Sequence, residues 1–132
     1  MRVIIAGGRD YNFTQRDFDL LDYIATKWSI TEVVSGGATG ADAGGEQWAT
    51  IKKLPIKQFP ANWKKYGKVA GPLRNAEMAA YADAVILFPG GKGTTNMFEN
   101  AKEFNLDILF VREGMVFEHK YQKAEENIDN IK

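Results

Sequence analysis

The sequence predicts an α/β sandwich built on a mainly parallel sheet of five strands. Three observations carry this. Short apolar, β-branched runs recur without alternation, as expected of strands buried on both faces. Segments with helical periodicity fall between those runs. Glycine clusters mark the turns from strand to helix. Such regular alternation implies helices layered on a parallel sheet through right-handed crossovers.

The elements follow in order. Residues 3–6 form the first apolar run and end in Gly7-Gly8. Thr14-Gln15-Arg16-Asp17 resembles a capping box with Asp in the place of Glu. Phe18, Leu21, Ala25 and Trp28 continue from it at helical spacing. Val33-Val34 is the second run, ending in Ser35-Gly36-Gly37. Ala41, Gly45, Trp48 and Lys52 trace a second helix, with Ile51 completing its apolar side. Gly44 and Gly45 inside that helix each cost about 1 kcal/mol relative to Ala, so close helix-to-sheet packing is expected there. Residues 56–59 make a weaker strand, and residues 61–71 one long irregular connection. Pro72 suits the first turn of a third helix reaching about Tyr81. Residues 84–88 form a strand ending in Pro89-Gly90-Gly91. Thr94 or Thr95 caps a fourth helix whose inner face is Met97, Phe98, Ala101 and Phe104. Residues 108–111 close the sheet near Gly114. Tyr121, Ala124, Ile128 and Ile131 stripe a final helix, to cover an edge strand or pack on a second subunit. Residues 1–114 are thus expected to form the ligand-binding domain and residues 115–132 its helical extension. Trp28 and Trp48 are expected in the core and His119 on the surface.

Composition narrows the function. A chain of 132 residues has room for one core. Its 45% hydrophobic and 26% charged residues exclude wholesale disorder. With no cysteine, disulfide frameworks, thiol catalysis, Fe–S clusters and cysteine zinc sites are excluded. One histidine excludes multi-histidine metal sites. Equal numbers of basic and acidic residues, 17 each, argue against a nucleic-acid coat or polybasic membrane binder. No apolar run approaches the roughly 18 residues of a membrane span. The first apolar run is too short for a signal peptide, so a cytoplasmic protein is expected.

Glycine is the informative excess, 13 of 132 residues. Most of it lies in three turns: Gly7-Gly8-Arg9-Asp10, then Ser35-Gly36-Gly37-Ala38-Thr39-Gly40-Ala41-Asp42, then Pro89-Gly90-Gly91-Lys92-Gly93-Thr94-Thr95. In a parallel sheet all three lie at the carboxyl edge of the strands, where ligands bind. Glycine lets backbone N–H groups approach a phosphate closely, and the following helix adds unpaired donors and a positive dipole end. Thr94 and Thr95 add hydroxyls and Lys92 adds charge. The P-loop pattern is missing, and Gly91-Lys92-Gly93-Thr94-Thr95-Asn96 lacks the last glycine of a dinucleotide fingerprint.

These turns, with Pro60-Ala61-Asn62-Trp63, Tyr66-Gly67-Lys68, Ala70-Gly71-Pro72-Leu73-Arg74-Asn75 and Met78, resemble the YspA/YpsA-related branch of the SLOG superfamily. The likeness runs in order over residues 2–111. It implies a Rossmann-like fold that binds nucleotides or nucleotide-derived ligands of the NAD or ADP-ribose type. The superfamily also holds the Lonely Guy phosphoribohydrolases and the DNA-processing DprA proteins. Lonely Guy enzymes carry Glu-Arg-Lys-x-x-Met and Pro-Gly-Gly-x-Gly-Thr-x-x-Glu. Arg74 and Met78 match the first motif, with Leu73 and Asn75 in place of its Glu and Lys. Residues 89–94 match the second, but its catalytic glutamate falls on Met97. N-glycosidic hydrolysis needs a carboxylate to stabilise positive charge or activate water. Asp42, Asp10 and Glu99 are the candidates to replace it.

The reading is therefore a nucleotide-binding sensor or sequestering protein. A nucleotide hydrolase using Arg74 and Asp42 is the enzymatic alternative. Single-stranded DNA binding through Lys64, Lys65 and Lys68 is the third. Arg74 is expected to clamp a phosphate, and Asp42 to cap its helix or to serve ribose, Mg²⁺ or proton transfer. Arg9 and Asp10 either contact ligand or pair with each other. Asn75 either bonds ligand or ties down its loop. Trp63 and Tyr66 either stack on a base or anchor the long connection. Any Mg²⁺ would arrive with a phosphate ligand, and a dimer or larger oligomer is expected.

Overall fold

The computed structural model describes residues 1–120. The strands are β1 (Arg2–Ala6), β2 (Glu32–Ser35), β3 (Ile56–Gln58), β4 (Ala84–Leu87), β5 (Asp107–Arg112) and β6 (Met115–His119). The helices are α1 (Gln15–Lys27), α2 (Ala41–Ile51), α3 (Trp63–Tyr66), α4 (Ala70–Tyr81) and α5 (Lys92–Glu103), with a single 3-10 turn at Gly67–Val69. The strands form one six-stranded sheet in the order β3-β2-β1-β4-β5-β6. Neighbours from β3 to β5 pair in parallel, and β6 is antiparallel to β5.

Central strand β1 shows why its run does not alternate. Val3 and Ile5 pack with Leu21 and Ile24 of α1 and Trp48 of α2. Ile4 and Ala6 face the other way, onto Met78 of α4 and Met97 and Ala101 of α5. Both faces are covered, so every side chain of the strand after Arg2 is apolar. The two helix glycines serve this packing. A Cβ on Gly45 would lie 2.7 Å from Ile5 Cγ2, and one on Gly44 would run into the Phe13 ring. The α1 capping box forms as read: the Thr14 N–H donates to Asp17 Oδ2 at 2.9 Å. Tyr11 also donates its hydroxyl to Asp17, at 2.9 Å. Burial first, then that carboxylate, pushes the Tyr11 phenol up to about 12.

Several expectations need correction. The sheet has six strands, not five, because residues 115–119 return as a hairpin rather than entering a helical extension. Arg112 pairs with Met115, and the two residues between them, Glu113 and Gly114, both have positive φ, the signature of a type I′ turn. The striped segment from Tyr121 onward lies outside the described residues. Helix α5 starts at Lys92, ahead of Thr94 and Thr95, with Gly91 as its N-cap. Phe104 is the C-cap of α5, beyond its packed face, and is 44% exposed. Ile51 ends α2 and is 61% exposed, whereas Trp48 is buried. Trp28, the α1 C-cap, is only partly buried against the core. His119 is no plain surface histidine: its ring packs edge-on against Phe98 at 5.0 Å. The connection at residues 61–71 is not wholly irregular, since it carries α3 and the 3-10 turn. Among the described residues no helix is long and apolar enough to cross a membrane.

Candidate functional site

Strand order reverses between β1 and β4, so the loops leaving their carboxyl ends diverge to opposite faces of the sheet. A crevice must open there. The three glycine turns meet at it and are stitched together by backbone hydrogen bonds. The Gly8 N–H donates to Pro89 O at 2.8 Å, joining the first turn to the third. The Ala41 N–H donates to Gly8 O at 3.1 Å, and Thr39 Oγ1 donates to Arg9 O at 3.1 Å, joining the first turn to the second.

The crevice is a cleft of about 410 Å³, within the size range of small-molecule sites. Of the residues singled out from sequence, Gly7, Gly8, Arg9, Gly36, Asp42, Arg74, Asn75, Gly91, Lys92, Gly93 and Thr94 line it. Asp10, Gly37, Thr39, Gly40, Pro89, Gly90 and Thr95 are not among its lining residues. Those seven shape the walls or stand outside. A Cβ on Gly90 would run into Thr94, Thr95 Oγ1 donates back to Gly91 O at 3.2 Å, and Asp10 is exposed to solvent. Of the three lysines of the long connection, only Lys68 reaches the cleft.

Arg74 is the organising side chain. It projects from α4, partly buried, and its Nη1 donates to Gly36 O at 2.8 Å. Its Nε donates to Asn75 Oδ1 at 3.1 Å. Its Nη2 makes no hydrogen bond to the described residues, which leaves one edge of the fork for a ligand. Burial lowers its pKa from the ordinary arginine value, a shift that the Asp42 carboxylate opposes. Asn75 is engaged on both sides: its Nδ2 donates to Asn96 Oδ1 at 3.0 Å and to Gly93 O at 3.3 Å. It therefore ties α4 to α5 while also lining the cleft.

Asp42 sits in the first turn of α2 and is buried. Its Oδ2 accepts the Ala38 N–H at 3.1 Å. Burial raises its carboxyl above the usual carboxylate range, against the pull of that hydrogen bond and of Arg74. One turn later Glu46 accepts Ser35 Oγ at 2.6 Å and Gln58 Nε2 at 2.9 Å, fixing the base of the second glycine turn. Among the candidate replacement carboxylates, Asp42 alone lines the cleft, and Glu99 pairs with Lys102 at 3.1 Å. No group of three or more acidic or histidine side chains that could hold a metal occurs among the described residues.

The sequence reading passed over Asn96 and Met97 as site residues and named Lys68 only for the nucleic-acid alternative, yet all three line the cleft. Asn96 lies one turn into α5, and its role as acceptor for Asn75 is visible only once α4 and α5 pack together. Met97, at the position of the Lonely Guy glutamate, is buried at the cleft floor.

Comparison with known proteins gives this geometry its family. The chain matches YAcAr, the YspA, cpYpsA-related SLOG family, over residues 1–66, which include the first two glycine turns. It is similar to the Gene 61 protein of Mycobacterium phage D29, with 33% identity over 117 residues, covering 82% of this chain and 94% of the relative. No solved structure gives a significant match. The chain belongs to the YspA, cpYpsA-related SLOG family.

Proposed function

We propose that the protein binds a nucleotide or nucleotide-derived ligand of the NAD or ADP-ribose type in this cleft, as a sensor or sequestering protein. One observation carries the reading. The chain as a whole has formal net charge zero, yet Arg9, Lys68, Arg74 and Lys92 line the cleft against Asp42 as its sole carboxylate among the described residues. The amino end of α5, opened by Gly91 and Gly93, adds unpaired N–H donors and a positive dipole end. The family is broadly associated with nucleotide-related ligands, which agrees with this chemistry. The phosphates lie against residues 91–94, Arg74 clamps them, and the second turn walls the ribose. A Mg²⁺ ion carried by those phosphates would find Asp42 as its protein carboxylate, since magnesium beside phosphates keeps most of its waters. Calorimetry with AMP, ADP-ribose and NAD tests the reading. Saturable binding that weakens at least tenfold in Arg74→Ala is expected, and a folded protein that binds none of them overturns it.

A second reading rests on Asp42. A buried carboxyl held above its ordinary range beside an anion cleft is suited to proton transfer at a glycosidic bond. Release of free base from a nucleotide, abolished in Asp42→Asn, would make the protein a hydrolase. Binding without turnover leaves the sensor.

A further inference from the structure

One wall of the cleft is aromatic, and the phosphate chemistry above does not use it. Trp63 opens α3, lines the cleft and is 49% exposed, a large ring left half in water. The Arg9 guanidinium, from the first glycine turn, faces it at 5.7 Å from the ring centroid. Beneath the ring is Gly71, where a Cβ would stand 3.2 Å from Trp63 Cη2. Gly71 precedes Arg74 by three residues on α4, about 4.5 Å of helical rise. A flat apolar surface thus packs on α4 one helical turn before Arg74. Tyr66, in the same short helix, is different. It does not line the cleft, and Lys65 lies over its ring at 5.1 Å.

We infer that Trp63 and Arg9 form a ring-binding subsite, in which the base of a nucleotide stacks on the indole with the Arg9 guanidinium on its other face. The inference rests on the nucleotide reading and specifies the ligand: it must carry a planar ring beyond its phosphate and ribose. A ring in van der Waals contact with both partners needs about 7 Å between them. Arg9 is exposed, so it can swing outward by the roughly 1 Å this requires. Stacking reads the face of a base and not its edge, so the subsite tolerates different bases and favours the larger purines.

Calorimetry with AMP and with ribose 5-phosphate, on the wild type and on Trp63→Ala, Trp63→Phe and Arg9→Ala, tests it. Trp63→Ala is expected to weaken AMP binding about tenfold or more. Ribose 5-phosphate binding, whatever its strength, stays within twofold. Trp63→Phe restores most of the AMP affinity, and Arg9→Ala costs several-fold. Circular dichroism confirms that each variant is folded. AMP affinity unchanged in Trp63→Ala, equal weakening of both ligands, or no rescue by Phe overturns the stacking subsite while leaving the anion cleft intact. Failure of the wild type to bind AMP overturns this inference, and failure to bind ADP-ribose and NAD as well overturns the nucleotide reading with it.

Discussion

In the turn after β2, Gly37 and Gly40 hold φ of +74° and +75°, and Gly40 is pressed against the Gly8 and Arg9 backbone. Gly36 is confined by side-chain ends instead: a Cβ there would stand 2.6 Å from Arg74 Nη1 and 2.9 Å from Asp42 Oδ2. In the turn after β4, Gly91 and Gly93 have no positive φ, and a Cβ on either would meet nothing within 4 Å. The first set of glycines is demanded by the protein's own packing. The second is not, and Gly93 in the first turn of a helix lowers its stability relative to Ala. Space kept open at a helix amino end, with nothing among the described residues filling it, suits a ligand that approaches the backbone.

This contrast can be broken by substitution. Gly40→Ala should have the largest effect, destabilising the fold by about 3 kcal/mol through positive φ and backbone overlap. Denaturant unfolding measures it, and a near-neutral result would mean that the second turn is not packed as described. Arg74→Ala should come next, removing the links to Gly36 O and Asn75 along with the cleft's main cation. Its ligand affinity should fall tenfold or more, while its melting temperature drops by several degrees. Gly93→Ala should sharpen the comparison by moving two properties in opposite directions. Stability rises by about 0.5 kcal/mol, and ligand affinity falls several-fold. A rise in both would remove the argument for close ligand approach at the third turn.

The smallest effect concerns pH. Burial raises the Asp42 carboxyl in the fold, so the folded chain holds this proton more tightly than the unfolded one. The stability it contributes is complete below the unfolded carboxylate range and is lost as pH rises through the folded value. Asp42→Asn should flatten that part of the stability profile and raise the neutral-pH melting temperature by a few degrees. A variant that melts lower at neutral pH but not at acid pH would mean that the ionised carboxylate is a net stabiliser.

Much of this was legible in the chain order of its residues. Runs such as Val3-Ile4-Ile5-Ala6 announce a doubly covered strand because water is excluded from both sides. Thr14 and Asp17 announce the start of α1 because an unpaired helix end must find local acceptors and donors. The hairpin to β6 was missed because Glu113-Gly114, set between two apolar runs, lacks the usual Asn-Gly or Asp-Gly of a two-residue hairpin loop. Phe104 and Ile51 were misplaced because helical spacing names a stripe without saying where the covering sheet ends.

What the sequence determined by itself was local: the elements, their caps and the glycine turns, each governed by chemistry within a few residues. Tertiary structure alone decided the strand order and therefore which turns meet. It brought Arg74 beneath Gly36 and set Trp63 opposite Arg9, pairs far apart in the chain. It also turned a chain of zero net charge into one with a cationic cleft. Net charge is a sum over residues, whereas the field that a ligand meets depends on which of them the fold turns toward it.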